Sequence, residues 1–105
     1  MNINNVFVDI LDLHPSRIAV YDENGNFFYA NNNYIKAYGI EVSEKESLNF
    51  DKIKPYEVTF EYIKSQLATS KSFSIQELED SILFESLFFY TTSKYVIHIS
   101  SSITT

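Results

Sequence analysis

The chain has no cysteine, no tryptophan, two glycines and two prolines, and only eight basic residues against fourteen acidic ones. Without cysteine it can form no disulfide, thiol nucleophile, cysteine-bearing zinc site or iron–sulfur cluster, and that absence fits a reducing cytoplasm. The net charge is −6 and the basic residues are scattered, whereas a surface for phosphate backbones needs clustered Lys and Arg. No apolar run approaches the ~20 residues that span a bilayer. The N-terminus lacks the basic start of a signal peptide, and Asp9 and Asp12 interrupt its apolar residues. No phosphate-binding glycine loop, HExxH motif or nucleophile–His–acid set occurs. The expectation is a cytoplasmic, non-enzymatic module that binds neither nucleic acid nor membrane.

What is present is an aromatic-rich core. Hydrophobic residues make up 45% of 105, and the aromatic 16% is all Tyr and Phe. That length suits one domain, 1–105, with residues 1–14 as a flanking helix and 17–102 as the core. In the flanking segment Ile3, Val6, Phe7, Ile10 and Leu13 share one helical stripe, with Asp9 and Asp12 expected to face away. His14-Pro15 ends the helix. Helical spacing of Phe60, Ile63 and Leu67 predicts the longest helix, from Tyr56 to about Ser70, with Pro55 in its first turn. Between Glu41 and Lys54 the isolated Leu48, Phe50 and Ile53 suggest one or two short helical turns. Three β-rich runs, Ser72–Glu79, Ile82–Thr92 and Tyr95–Ser102, are divided by Asp80-Ser81 and Ser93-Lys94, which fit hairpin loops. Strands bracketing a helical segment mark an α+β fold with an antiparallel sheet.

The run Arg17 to Ile40, RIAVYDENGNFFYANNNYIKAYGI, is the most distinctive. Arg17–Asp22 and Asn26–Ala30 read as strands joined at Asn24-Gly25, a dipeptide suited to a type I′ turn. Asn31 can cap a helix Asn32–Tyr38 that closes at Gly39. This pattern resembles the opening of a PAS domain, through Asp22, Gly25, Tyr29, Asn31 and Gly39. The resemblance implies a five-stranded sheet in the order 2-1-5-4-3 with helices over one face. It implies a sensory or regulatory module whose signal passes to an output domain, such as a histidine kinase of a two-component system or a transcription regulator. It also implies a homodimer through the flanking helix, against which stands simple capping of its own sheet. The long helix has no histidine, which disfavours haem of the helix-histidine type, and the lack of cysteine disfavours a cysteine-linked flavin or chromophore.

Ligand sites are concave and mostly apolar. The pocket candidates are Val20, Tyr34, Tyr38, Phe60, Ile63, Phe73, Phe89, Ile97 and Ile99, with Ile18, Ile35, Ile75 and Leu87 nearby. A small apolar or aromatic ligand would suit them, and so would a core filled by its own rings. The competing functional reading is a ligand-free interaction or dimerisation domain. His98, between Ile97 and Ile99, reads as a surface or hydrogen-bonded core residue before a ligand, and His14 as a helix-end residue. Glu77 and Glu79 share one face of a strand, with Glu85 available on the next strand. That trio could do acid–base work or bind a cation, but a solvated face that blunts edge pairing is the simpler reading. Asp22 is expected to accept N–H bonds across its turn.

Overall fold

Among the described residues, four helices and five strands follow one another: α1 (Asn5–Leu13), β1 (Arg17–Tyr21), β2 (Phe27–Ala30), α2 (Asn32–Ala37), α3 (Phe50–Ile53), α4 (Phe60–Leu67), β3 (Ser72–Glu79), β4 (Ile82–Tyr90) and β5 (Val96–Ser102). The computed structural model describes residues 5–41, 48–53 and 58–103, the side chains of 5–8 excepted. The strands form one antiparallel sheet in the order β2-β1-β5-β4-β3, the order the resemblance implies. Ile3, Pro55 and Tyr56 lie outside the described residues. The longest of the core helices starts later than its periodicity suggests, because Thr59 accepts the Tyr62 N–H and caps it there.

Local chemistry explains the turns. Asp22 Oδ1 accepts the N–H groups of Asn24 and Asn26, each at 2.9 Å, while Gly25 N–H returns to the Asp22 carbonyl at 3.0 Å. Gly25 has φ +84° and Asn24 is not among the residues with positive φ. The turn is therefore not the expected type I′. It is a type I turn followed by a left-handed residue, which makes a bulge at Gly25. A separate slip in register lies further along, where Phe28 is skipped between the pairs Tyr21–Phe27 and Val20–Tyr29. The same geometry recurs between β4 and β5, where Thr91 N–H meets the Tyr95 carbonyl, Lys94 N–H meets that of Thr91, and Lys94 holds φ +67°. The type I′ turn instead joins β3 to β4, with Asp80 and Ser81 at φ +48° and +71°.

Asn31 holds the first half together. Its Oδ1 accepts the Tyr34 N–H at 3.1 Å, capping α2, and also the Ile18 N–H at 3.0 Å. Its Nδ2 donates to the carbonyls of Leu11 and Ser16 at 2.8 and 2.9 Å. One fully buried amide thus ties α1, β1 and α2. Gly39, at φ +61°, closes α2: the Ile40 N–H reaches back to the Ile35 carbonyl, and Ile40 is buried.

α2, α3 and α4 cover one face of the sheet. The core there unites Ala19, Tyr21, Ala30, Tyr34, Phe50, Phe60, Ile63, Leu67, Phe88 and Val96. Each large side chain so buried is worth ~1.5–3 kcal/mol against exposure. Phe50, fully buried, has its ring centroid 5.4–5.9 Å from those of Tyr21, Phe60 and Phe88.

α1 departs from the expected orientation at Asp12, while Asp9 is exposed as expected. The Asp12 carboxylate accepts the Tyr29 hydroxyl and the Asn32 N–H, each at 3.2 Å, so it faces the domain rather than solvent. Ile10 and Leu13 are 56% and 85% exposed. A helix anchored through Asp12 and the Leu11 carbonyl leaves those two apolar side chains outside.

Candidate functional site

Register and alternation fix which side chains look toward the helices. From β1 across β5 and β4 to β3, one row reads Ala19, His98, Phe88 and Phe73, and the next reads Arg17, Ser100, Ser86 and Ile75. Ala19 and Ala30 are small, which lets α2 approach and brings the Tyr34 ring onto the sheet.

A buried polar chain runs through these rows. The hydroxyls of Tyr21 and Tyr34 share a hydrogen bond of 2.6 Å, and the Tyr34 hydroxyl lies 3.0 Å from His98 Nδ1. His98 Nε2 lies 2.8 Å from Ser86 Oγ, and the imidazole stacks on Phe88 with centroids 4.4 Å apart. Tyr21, Tyr34, Ser86 and His98 are all fully buried. Burial, helped by the charge of Arg17, lowers the His98 pKa to about 3, so the ring is neutral and offers one donor and one acceptor. Burial likewise raises the Tyr21 hydroxyl above its ordinary range. His98 and Tyr21 therefore both sit uncharged in this row of hydrogen bonds.

The charged end of the face lies beside it. The Arg17 guanidinium crosses the sheet to Glu79, with Nη1 3.1 and 3.2 Å from the two carboxylate oxygens. Its carbon sits 4.1 Å from the Phe84 ring centroid and 5.7 Å from that of Tyr38. Burial opposes the charge on Arg17, but hydrogen bonds to Glu79 and Tyr38 outweigh it and raise the pKa.

Of the pocket candidates, Tyr34, Phe60 and Ile63 belong to this core, and Tyr38 and Phe73 pack against it. Val20, Phe89, Ile97 and Ile99 do not join them. In register they alternate with Tyr21, Phe88, Val96 and His98, so they belong to the outer face. Ile18 and Val20 are buried there, outside the helix-side cluster. Ile97 and Ile99 look more core-like than His98 and Ser100, yet the polar pair faces inward, made tolerable for His98 by Tyr34 and Ser86.

Arg17 and Ser86 were not legible as site residues. Glu85 also separates from Glu77 and Glu79: it faces outward and accepts a long bond of 3.4 Å from Gln76. His14 follows the last residue of α1, where its N–H bonds the Leu11 carbonyl and its Nδ1 accepts the Ser16 N–H. Among the described residues, no group of three metal-ligating side chains converges, and no helix is long and apolar enough to cross a membrane.

No protein-family model and no curated protein matches the sequence. Solved structures do match over nearly the whole chain. The PAS domain of an HTR-like protein from Haloarcula marismortui is similar at TM-score 0.65 and 17% identity, covering 93% of this chain and 95% of that one. A domain of a sensory box sensor histidine kinase/response regulator from Geobacter sulfurreducens reaches 0.66 at 11% identity, covering 91% and 90%. The photoactive yellow protein domain of the sensor histidine kinase Ppr from Rhodospirillum centenum reaches 0.66 at 12%, covering 90% and 91%. Strand order, the Asn31 cap, the Gly39 stop and these likenesses agree, and the chain has the fold of a PAS domain.

Proposed function

We propose that this chain is a non-catalytic sensory module that takes up a small apolar or aromatic molecule on the helix side of its sheet. It then alters an output domain, a histidine kinase or a transcription regulator, in a cytoplasmic homodimer. The observation that carries the reading is the buried chain Tyr21–Tyr34–His98–Ser86, which joins α2 to three strands. A ligand that displaces a ring of this cluster moves α2 against the sheet. The Tyr34 N–H bonds Asn31, and Asn31 also holds the Leu11 carbonyl of α1, so the shift has a direct route to the flanking helix. The sensor histidine kinases among the similar structures lend the kinase output its support.

Thermal unfolding against fractions of a cell extract tests this. A ligand at a hundred times its dissociation constant adds about 2.7 kcal/mol, a shift of several degrees. Failure of every fraction to move the midpoint would favour the second reading, a dimerisation domain without ligand. The exposed Ile10 and Leu13 and the ring-filled core around Phe50 support that alternative.

A further inference from the structure

Arg17 and Ser100 are direct partners across β1 and β5 on the helix-side face. Ser100 is 1% exposed, and its hydroxyl has no hydrogen-bond partner among the described residues. A buried hydroxyl without a partner is rare and marks a place where an oxygen from elsewhere would fit. Next to it the Arg17 guanidinium lies against the Phe84 ring face, with Tyr38 as a second aromatic wall. Its present partner, Glu79, ends β3 beside the tight turn and is 35% exposed. That contact shows a carboxylate within reach of the Arg17 guanidinium, both of its oxygens meeting the single nitrogen Nη1 rather than the two-nitrogen fork. Glu79 is the more exposed member of the pair, so water competes for its carboxylate.

We propose that Arg17 and Ser100 form a binding site for a small aromatic carboxylate, and that Glu79 occupies Arg17 as an internal stand-in until the ligand displaces it. The inference rests on reading the helix-side face as a ligand site, and it adds the chemical class. The carboxylate takes the guanidinium, the Ser100 hydroxyl donates to one of its oxygens, and the ring lies against Phe84 or Tyr38. Freed from Arg17, Glu79 releases the end of β3, so binding loosens one edge of the sheet.

Titration of the full chain with benzoate, followed by amide chemical shifts, tests it. Benzoate should shift Arg17, Ser100 and Glu79 first. Glu79→Gln, which removes the competing charge at a partly exposed position, should bind about tenfold more tightly. Ser100→Ala, which removes an unpartnered hydroxyl and so should fold at least as well, should bind several-fold more weakly. Arg17→Gln should not bind, and neutral benzyl alcohol should bind far less than benzoate. Equal affinity in Glu79→Gln and the parent, equal binding of benzyl alcohol, or shifts remote from Arg17 would overturn the site. A compound from cell extract that stabilises Arg17→Gln as much as the parent would also overturn it while leaving the sensory reading intact.

Discussion

The Tyr34 hydroxyl and His98 Nδ1 lie 3.0 Å apart, although 64 residues separate them in the chain. The pair joins the first helix after the hairpin to the last strand, and it sits at the middle of a chain that begins at Tyr21 and ends at Ser86.

Tyr34→Phe should therefore cost more than one ordinary hydrogen bond. The ring keeps its packing, but Tyr21 and His98 both lose a buried partner, at ~1–3 kcal/mol for each group left unsatisfied. A midpoint lowered by ~10 °C or more in thermal unfolding is the expected result. A change within error would show that the hydroxyl is not part of the core.

His98 makes stability depend on pH. Its folded pKa is about 3 against 6.5 when unfolded, so the unfolded chain binds the extra proton between those values. The contribution is complete above the unfolded value and is lost progressively as pH falls toward the folded one. Between about pH 7 and pH 5 the loss is about 2 kcal/mol. Urea unfolding of the parent and of His98→Gln at both values checks this: the parent should weaken on acidification and the variant should change much less.

The two bulged turns make opposite predictions. At Gly25 a Cβ would lie 2.9 Å from two Phe60 ring atoms, on backbone at φ +84°, so Gly25→Val should destabilise the whole domain by ~2 kcal/mol or more. At the equivalent place in the β4–β5 turn stands Lys94 at φ +67°. Lys94→Gly should relieve that strain and stabilise by ~0.5–1 kcal/mol. Chemical denaturation of both variants decides, and a stabilising Gly25→Val or a destabilising Lys94→Gly would contradict the turn geometry.

Ile10→Asp/Leu13→Asp tests the dimer. Both positions are exposed in the single chain, so charges there leave the fold intact and burden only a contact between copies. Sedimentation should find a dimeric parent and a monomeric variant with an unchanged unfolding midpoint. A monomeric parent at high concentration rejects the dimer, and an unfolded variant means that α1 needs those residues for its own domain.

The hairpin, its Asn31 cap and the Gly39 stop were readable because each depends on local chemistry: a side-chain acceptor, a left-handed residue, a turn. β3 likewise matched its run of alternating residues, Ser72–Glu79. What failed was the choice of face. In β5 the strand pattern is unambiguous, but its inner side carries His98 and Ser100 and its outer side Ile97 and Ile99. Hydrophobicity therefore pointed the wrong way, and only partners distant in sequence, Tyr34 and Ser86, make the inward histidine tolerable. Asp12 misled for the same reason: its partners Tyr29 and Asn32 belong to other elements. Arg17 gave no local signal at all, since Glu79 is 62 residues away.

Mass spectrometry of the purified chain, intact under native conditions and again after denaturing extraction, tests the sensory reading most directly. A small organic compound should accompany the 12.2 kDa polypeptide and be released in near-stoichiometric amount when the protein unfolds. A bare polypeptide in every preparation would contradict ligand sensing and leave dimerisation as the role of the domain.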